Sequence, residues 1–267
     1  MLTVSGAHFS YGERTVLRDV NLRVGASELV CIVGANGVGK TTLLKLIGGL
    51  LQPAQGSVRC FDLDPAHTKR HVLARKLSYL PQSYQLSFPF RVSDVVLMGR
   101  YAHHGRGVLG LDKDEDVEAA RTAMERCDVL HLADRPFDAV SGGEQRRALL
   151  AQAFCQRSEL VLLDEPTSAL DPAHAMTVFA ALVKETDERA ASAIAVTHDL
   201  NLAARYATRL IVIDECEIVA DGEPREVLES AATTKAFRVP MHVDTLPTTD
   251  IPFVVPGVMA GSKPGER

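Results

Sequence analysis

The chain of 267 residues has no long apolar run: stretches such as Leu160–Leu163 and Ile211–Ile213 are far short of the roughly 18–20 residues of a spanning helix. Met1–Tyr11 carries no basic start followed by an apolar segment, so no signal peptide is expected. Something else must hold the protein at any membrane where it works. Basic residues are not in excess, with 29 Lys and Arg against 34 Asp and Glu and a formal charge of −5. Phosphate neutralisation supplies most of a general nucleic-acid binder's affinity, so bulk DNA or RNA binding is not expected. Cysteine is sparse and odd in number: Cys31, Cys60, Cys127, Cys155 and Cys216 are scattered, with no C-x-x-C pair. This suits reduced thiols in a cytosolic protein rather than a disulfide framework or a zinc site. No internal repeat is visible. At 46% hydrophobic and 24% charged residues the composition is ordinary globular, which rules out the disordered and low-complexity classes.

Short β-branched runs alternate with longer amphipathic stretches, which predicts an α/β fold whose mainly parallel core sheet is covered by helices. Strands are predicted at Glu28–Val33, Leu77–Leu80, Leu160–Asp164, Ala193–Thr197 and Arg209–Ile213, compact and apolar as strands buried on both faces should be. Helices are predicted at Lys40–Gly49, Glu144–Gln156, Ala173–Glu188 and Leu200–Tyr206. A longer charged piece, Asp112–Leu130, reads as part of a helical insertion over residues 93–140. One domain is expected over residues 1–240, with 241–267 as a C-terminal extension. Its last residues, Gly257–Arg267, read as a loose tail.

Gly34-Ala35-Asn36-Gly37-Val38-Gly39-Lys40-Thr41 matches G-x-x-x-x-G-K-[ST] at each fixed position. It follows an apolar strand and precedes the amphipathic run Thr42, Leu43, Leu44, Leu46, Ile47, the setting this motif requires. Glycines let the backbone wrap close to an anion with N–H groups pointing inward, and the helix N-terminus adds a positive dipole end. Lys40 would bridge the β- and γ-phosphates of a nucleotide, and the Thr41 hydroxyl would ligate Mg²⁺. Leu160–Asp164 ends in the pair Asp164-Glu165. Strand alternation would send the two carboxylates to opposite sides, Asp164 toward Mg²⁺ and Glu165 toward a water for in-line attack. Ser141-Gly142-Gly143-Glu144-Gln145 leads straight into a helix and describes a second backbone anion nest, this one without lysine. Taken alone, the same segment is also an ordinary N-cap box with a flexible lead-in. Two half-sites for one ligand suit two copies arranged head to tail, each nest capping the other's nucleotide.

Taken in order, Tyr11, Gly34–Thr42, Gln82, Ser141–Gln145, Leu160–Glu165, Ser168–Asp171 and His198 resemble the motif set of the ATP-binding cassette (ABC) ATPases, from about Leu2 to Val239. The resemblance implies a P-loop ABC ATPase fold with an N-terminal antiparallel β subdomain and a helical insertion. It implies ATP and Mg²⁺ as ligands, with Tyr11 stacked on adenine and Gly34, Asn36, Gly37, Gly39, Lys40, Thr41 and Thr42 around the phosphates. Ser141, Gly142, Gly143 and Glu144 would meet the nucleotide of the second subunit. Thr41, Gln82 and Asp164 would serve the metal. Glu165 would act as general base, with Gln82 near the attacking water and His198 holding the γ-phosphate. Ser168-Ala169-Leu170-Asp171 would contact the opposite subunit. Departures are few: Val140 where Leu usually opens the signature, Val38 where a small residue is commoner, and Arg146-Arg147 after Gln145. None removes a catalytic group, which implies an active ATPase.

The segment from Phe90 to His103, containing Val95, Gly99, Arg100 and Tyr101, is similar to importers of iron–siderophore chelates, haem and vitamin B12. So are His198–Tyr206, Val219–Pro224 and Phe237–Pro240. The adjacent His103-His104 lacks a third ligand at fixed spacing and reads as surface or interface. The resemblance implies a homodimer of ATPase subunits at the cytoplasmic face of the inner membrane. It would drive transmembrane permease subunits and depend indirectly on an extracytoplasmic substrate-binding protein. Zinc and manganese importers share part of the first segment and stay open as an alternative. An export ATPase is a further reading, although exporters are often fused to their spans, and an ABC ATPase acting on nucleic acid or ribosomes is the alternative from another class. About 100 residues separate Thr41 from Ser141, without sustained heptads or a cysteine cluster, and a single cassette is present, which argues against it.

Overall fold

The apolar runs form the centre of a six-stranded sheet in the structure, a computed structural model that describes residues 1–84, 88–103, 114–168, 170–247 and 249–257. Ahead of it lies a smaller antiparallel sheet. Strands β1 (Leu2–Tyr11) and β2 (Arg14–Val24) form a hairpin in which Tyr11 pairs with Arg14. Val20, Leu22 and Val24 are buried and alternate with exposed Asn21 and Arg23, the period of a half-buried strand. Strand β4 (Gln55–Cys60) pairs with the other edge of β1.

The core sheet consists of β3 (Leu29–Val33), β5 (Leu77–Leu80), β6 (Leu160–Asp164), β7 (Ser192–Val196), β8 (Arg209–Asp214) and β9 (Glu217–Gly222). Their order is β5-β6-β7-β3-β8-β9, parallel throughout except for the antiparallel pair β8–β9. Every residue of β3, β6 and β7 is buried, because both faces are covered. Alternation divides β3 between two cores: Leu29, Cys31 and Val33 face one, Val30 and Ile32 the other. Helix α1 (Lys40–Ile47) and the antiparallel sheet fill the second core. It ends before the predicted Gly49 because Gly49 takes φ +64°, and the Leu50 N–H turns back to the Lys45 carbonyl.

The opposite face is covered by α5 (Gly142–Cys155), α6 (Pro172–Arg189) and α7 (Leu200–Tyr206). Ahead of them come the short α2 (Arg70–Leu73), then α3 (Val92–Leu97) and α4 (Asp114–Arg126). Helix α4 sets Asp114, Glu115 and Asp116 at its positive end and Arg126 at its negative end. A buried ion pair, Arg100 to Asp116 at 2.7 Å, joins it to the segment after α3. The helix stops short of the predicted Leu130, and Asp128 just beyond it takes φ +52°. The start of the predicted Asp112–Leu130 segment, along with His104, Ala169 and the tail past Gly257, lies outside the described residues.

After β9 come α8 (Pro224–Glu229), α9 (Ala231–Phe237) and a hairpin of β10 (Met241–Thr245) with β11 (Pro252–Pro256). Asn201 on α7 clips the hairpin on, accepting the Val254 N–H at 2.7 Å and donating to the Val254 carbonyl at 3.3 Å. The contact imitates a strand pairing with one side chain.

Arg146 joins the layers at the carboxyl ends of β5 and β6. Its buried guanidinium donates to five carbonyl oxygens, those of Pro81 at 2.6 Å, Gln82 at 3.3 Å, Asp164 at 2.6 Å, Glu165 at 2.8 Å and Pro166 at 3.3 Å. No other side chain carries a five-donor planar fork.

Two outcomes follow from these contacts. Arg146→Lys leaves carbonyls unpaired and is expected to lower stability by about 2–4 kcal/mol in chemical denaturation. Asn201→Ala is expected to accelerate amide exchange across residues 241–256 by about tenfold or more, leaving the core sheet protected, as read by mass spectrometry.

Candidate active site

The loop between β3 and α1 wraps around an open cavity of about 690 Å³. Two glycines hold its course. A Cβ on Gly34 (φ +148°) would sit 2.3 Å from the Ile213 carbonyl, and one on Gly39 (φ +113°) would sit 2.7 Å from the Val16 carbonyl. Gly34 packs the loop closely onto β8. Asn36, Gly37, Gly39, Lys40, Thr41 and Thr42 line the cavity. The Lys40 ammonium folds back along the loop, donating to the carbonyls of Gly34 at 2.9 Å and Ala35 at 2.8 Å. Burial pulls its pKa below the usual lysine range, partly opposed by the nearby charges of Glu165 and Asp164.

Across the loop stands the end of β6. The Thr41 hydroxyl donates to the buried Asp164 carboxylate at 2.9 Å. Burial raises the pKa of that carboxyl, against the Thr41 hydrogen bond that lowers it. The Tyr79 hydroxyl is buried beside that carboxylate. Burial first, and the Asp164 charge second, push that phenol well up. Strand β6 stops at Asp164, so the two carboxylates diverge for a different reason from strand alternation. Glu165 takes φ +50°, its N–H bonded to the Val196 carbonyl at 3.0 Å. This left-handed step, uncommon outside glycine, turns Glu165 into the cavity. Gln82, just past β5, donates to the Glu165 carboxylate at 3.0 Å. His198, just past β7, lines the same cavity. Three parallel strands thus deliver Gln82, Glu165 and His198 at one sheet edge, where open α/β sheets bind their ligands. Half-exposed Tyr11 lies at the mouth, its ring edge-on to Phe9 with centroids 4.9 Å apart.

Ser141, Gly143 and Glu144 lie elsewhere, lining a cleft of about 220 Å³ with Leu170 and Asp171. The N-cap box does form. The Ser141 hydroxyl accepts the Glu144 N–H at 3.3 Å, and the Glu144 carboxylate accepts the Ser141 N–H at 2.7 Å. These Ser141 contacts hold the Glu144 carboxyl below the usual range. Gly142 sits in open space at the helix start. Asp171 caps α6, accepting the His174 N–H at 3.0 Å.

Motif reading passed over three residues that the fold brings in. Arg14 and Val16 of β2 line the cavity. Arg146, read from sequence as a modest variation, anchors the backbones on which Gln82 and Glu165 stand. Its position two residues past Gly143-Glu144 was the available signal, but its carbonyl partners lie far away in sequence.

A family model described as ABC transporter matches residues 17–168. The chain is 38% identical to the hemin import ATP-binding protein HmuV of Rhodococcus jostii, over 96% of this chain and 86% of that protein. It is 39% identical to the protein of that name from Streptomyces coelicolor, over 96% of this chain and 90% of the relative. Among solved structures, a metal-chelate type ABC transporter in an inward-facing conformation matches with TM-score 0.83 and 28% identity, covering 96% of this chain and 97% of that one. A dimeric bacterial ABC transporter cassette matches with TM-score 0.74 and 26% identity, over 84% of this chain and 99% of that one. With the phosphate loop, the paired carboxylates and the signature cleft in family order on this fold, the chain belongs to the ABC transporter family as an ATP-hydrolysing subunit.

Proposed function

We propose that this chain is the ATPase of an importer for haem or a closely related iron chelate, working as a head-to-tail homodimer beneath a pair of permease subunits. The observation that carries the ATPase chemistry is the convergence of Lys40, the Thr41–Asp164 contact and the Gln82–Glu165 contact on one cavity. The cargo reading rests on the relatives named for hemin import, on the metal-chelate type neighbour, and on the Phe90–His103 segment.

Mg²⁺ fits the donors present. Thr41 and Asp164 offer hydroxyl and carboxylate oxygens 2.9 Å apart, a hard donor pair suited to a cation that takes its other ligands from phosphates and water. The buried carboxylate, with its raised pKa, is also one that a dication would hold ionised. When bound, Mg²⁺ neutralises charge across the β- and γ-phosphates. Lys40 supplies a further cation there, and Tyr11 gives adenine a stacking face. Glu165, held by Gln82, accepts a proton from the attacking water as its oxygen bonds to the γ-phosphorus. The bond to the β–γ bridging oxygen breaks, leaving ADP and inorganic phosphate. His198 steadies the γ-phosphate opposite. The Ser141–Gly143 nest of the second copy caps the triphosphate, so closure depends on ATP and opening on its hydrolysis. The chain contributes no helix, among the described residues, long and apolar enough to cross a membrane. Its place would be peripheral, on the cytoplasmic face, with selectivity residing in the permease and an extracytoplasmic binding protein.

Two measurements test this reading. Glu165→Gln is expected to keep ATP binding, to cut phosphate release by about 10²–10⁴-fold and to accumulate an ATP-bound dimer, whereas Lys40→Ala weakens binding itself. Equal turnover by Glu165→Gln and wild type would sink the general-base role. Tagged Glu165→Gln protein held in Mg-ATP, pulled from native membranes, is expected to bring down a many-span permease whose associated binding protein takes up haem. A binding protein selective for zinc or manganese would overturn the cargo, and ribosomes or repair factors without a permease would overturn transport.

A further inference from the structure

The β1–β2 hairpin lies against the phosphate loop, with Val16 and Leu17 close to Gly39. Tyr11 and Arg14 are paired across the turn, so their side chains share a face of the sheet. Two residues further along β2, Val16 packs against Gly39 at the start of α1. Between these points the Arg14 guanidinium stands over the middle of the loop, its Nη2 atom 3.8 Å from where a Cβ on Gly37 would lie. Arg14 lines the same cavity as Lys40. Among the described residues its side chain makes no hydrogen bond or ion pair. It is an uncommitted cation beside the glycine-rich loop.

We propose that Arg14 is a nucleotide-binding residue that closes the open side of the phosphate cradle, pairing with the α- and β-phosphates of the bound nucleotide. The order of groups along the wall dictates which part of the ligand it meets. The base belongs at Tyr11, on the rim, and the terminal phosphates belong at Lys40 and the helix N-terminus. Arg14 lies between them, beside Tyr11 and above Gly37, where the phosphate chain begins. A guanidinium suits that position because its planar fork can hold two phosphate oxygens at once, whereas an ammonium is a point charge. The residue thereby makes affinity depend on the polyphosphate chain more than on the base.

The inference rests on the nucleotide reading of the cavity, and its test separates the two. Affinities for adenosine, ADP and ATP are measured by calorimetry or by competition with a fluorescent ADP, in EDTA so that no hydrolysis occurs. Arg14→Ala is expected to weaken ADP and ATP about tenfold, close to 1.4 kcal/mol, with adenosine unchanged. Arg14→Lys recovers part of the loss, and Arg14→Glu exceeds it. The salt dependence of ADP binding becomes shallower in Arg14→Ala as one phosphate contact is lost. The unliganded melting midpoint of each variant, expected to match wild type, shows that the exposed hairpin tip still folds. Unchanged ADP affinity in both Arg14→Ala and Arg14→Glu overturns the proposal. So does an equal loss for adenosine and ADP, which would place the effect on the Tyr11 platform. A wild-type protein that binds no ADP overturns the nucleotide reading itself.

Discussion

One buried guanidinium holds the reactive edge of this molecule together. Arg146 reaches from α5 into the gap between β5 and β6 and satisfies carbonyls on both sides of it, Pro81 and Gln82 on one, Asp164, Glu165 and Pro166 on the other. Those backbones leave their strands just where regular pairing stops, so their acceptors have no ladder partners to turn to. Burial disfavours the charge and lowers the arginine's pKa, while the adjacent Asp164 and Glu165 charges oppose that shift. The contact also joins two motifs mechanically. Helix α5 begins at the signature cleft, and the same helix fixes the backbones of Gln82 and Glu165. A displacement of α5 would therefore be transmitted to the backbones of Gln82 and Glu165.

The other organising feature is that two parts of the fold line the cavity. One is the parallel sheet, whose strand ends supply the phosphate loop, Gln82, Glu165 and His198. The other is the antiparallel hairpin, which supplies Tyr11, Arg14 and Val16. The two meet through the close approach of Gly39 to Val16, a contact that any side chain on that residue would block. In the function proposed above, base recognition and phosphate chemistry fall to separate layers of the fold. Ser141, Gly143 and Glu144 lie in a cleft of their own, apart from this cavity.

Much of this was legible along the chain. β5 and β6 occur at their predicted residues, and β3, β7 and β8 differ by one residue at their ends. A strand buried on both faces must be apolar throughout, and that is visible without context. β9 and β10 are missed because half-exposed strands mix polar and apolar residues, and β11 because its short apolar run is bounded by prolines. Helix α5 begins two residues before the predicted Glu144 because the Ser141 cap admits both glycines to its first turn. The grouping of Lys40, Thr41, Gln82, Glu165 and His198 followed motif order, since each motif stands at the end of a parallel strand.

The sequence by itself determined the chemistry on offer: a phosphate loop between strand and helix, a pair of carboxylates ending a strand, and a capped glycine nest. These are local patterns whose backbone consequences follow from neighbouring residues. Tertiary structure decided how those groups face one another. Glu165 is turned inward by a positive φ that no strand alternation requires, and Gln82 reaches it from a strand far earlier in the chain. Arg146 and Arg14 owe their places to segments that meet only when the layers pack. A motif records which groups a backbone needs close by. Contacts between distant segments leave no such record, because the geometry that creates them exists only in the folded chain.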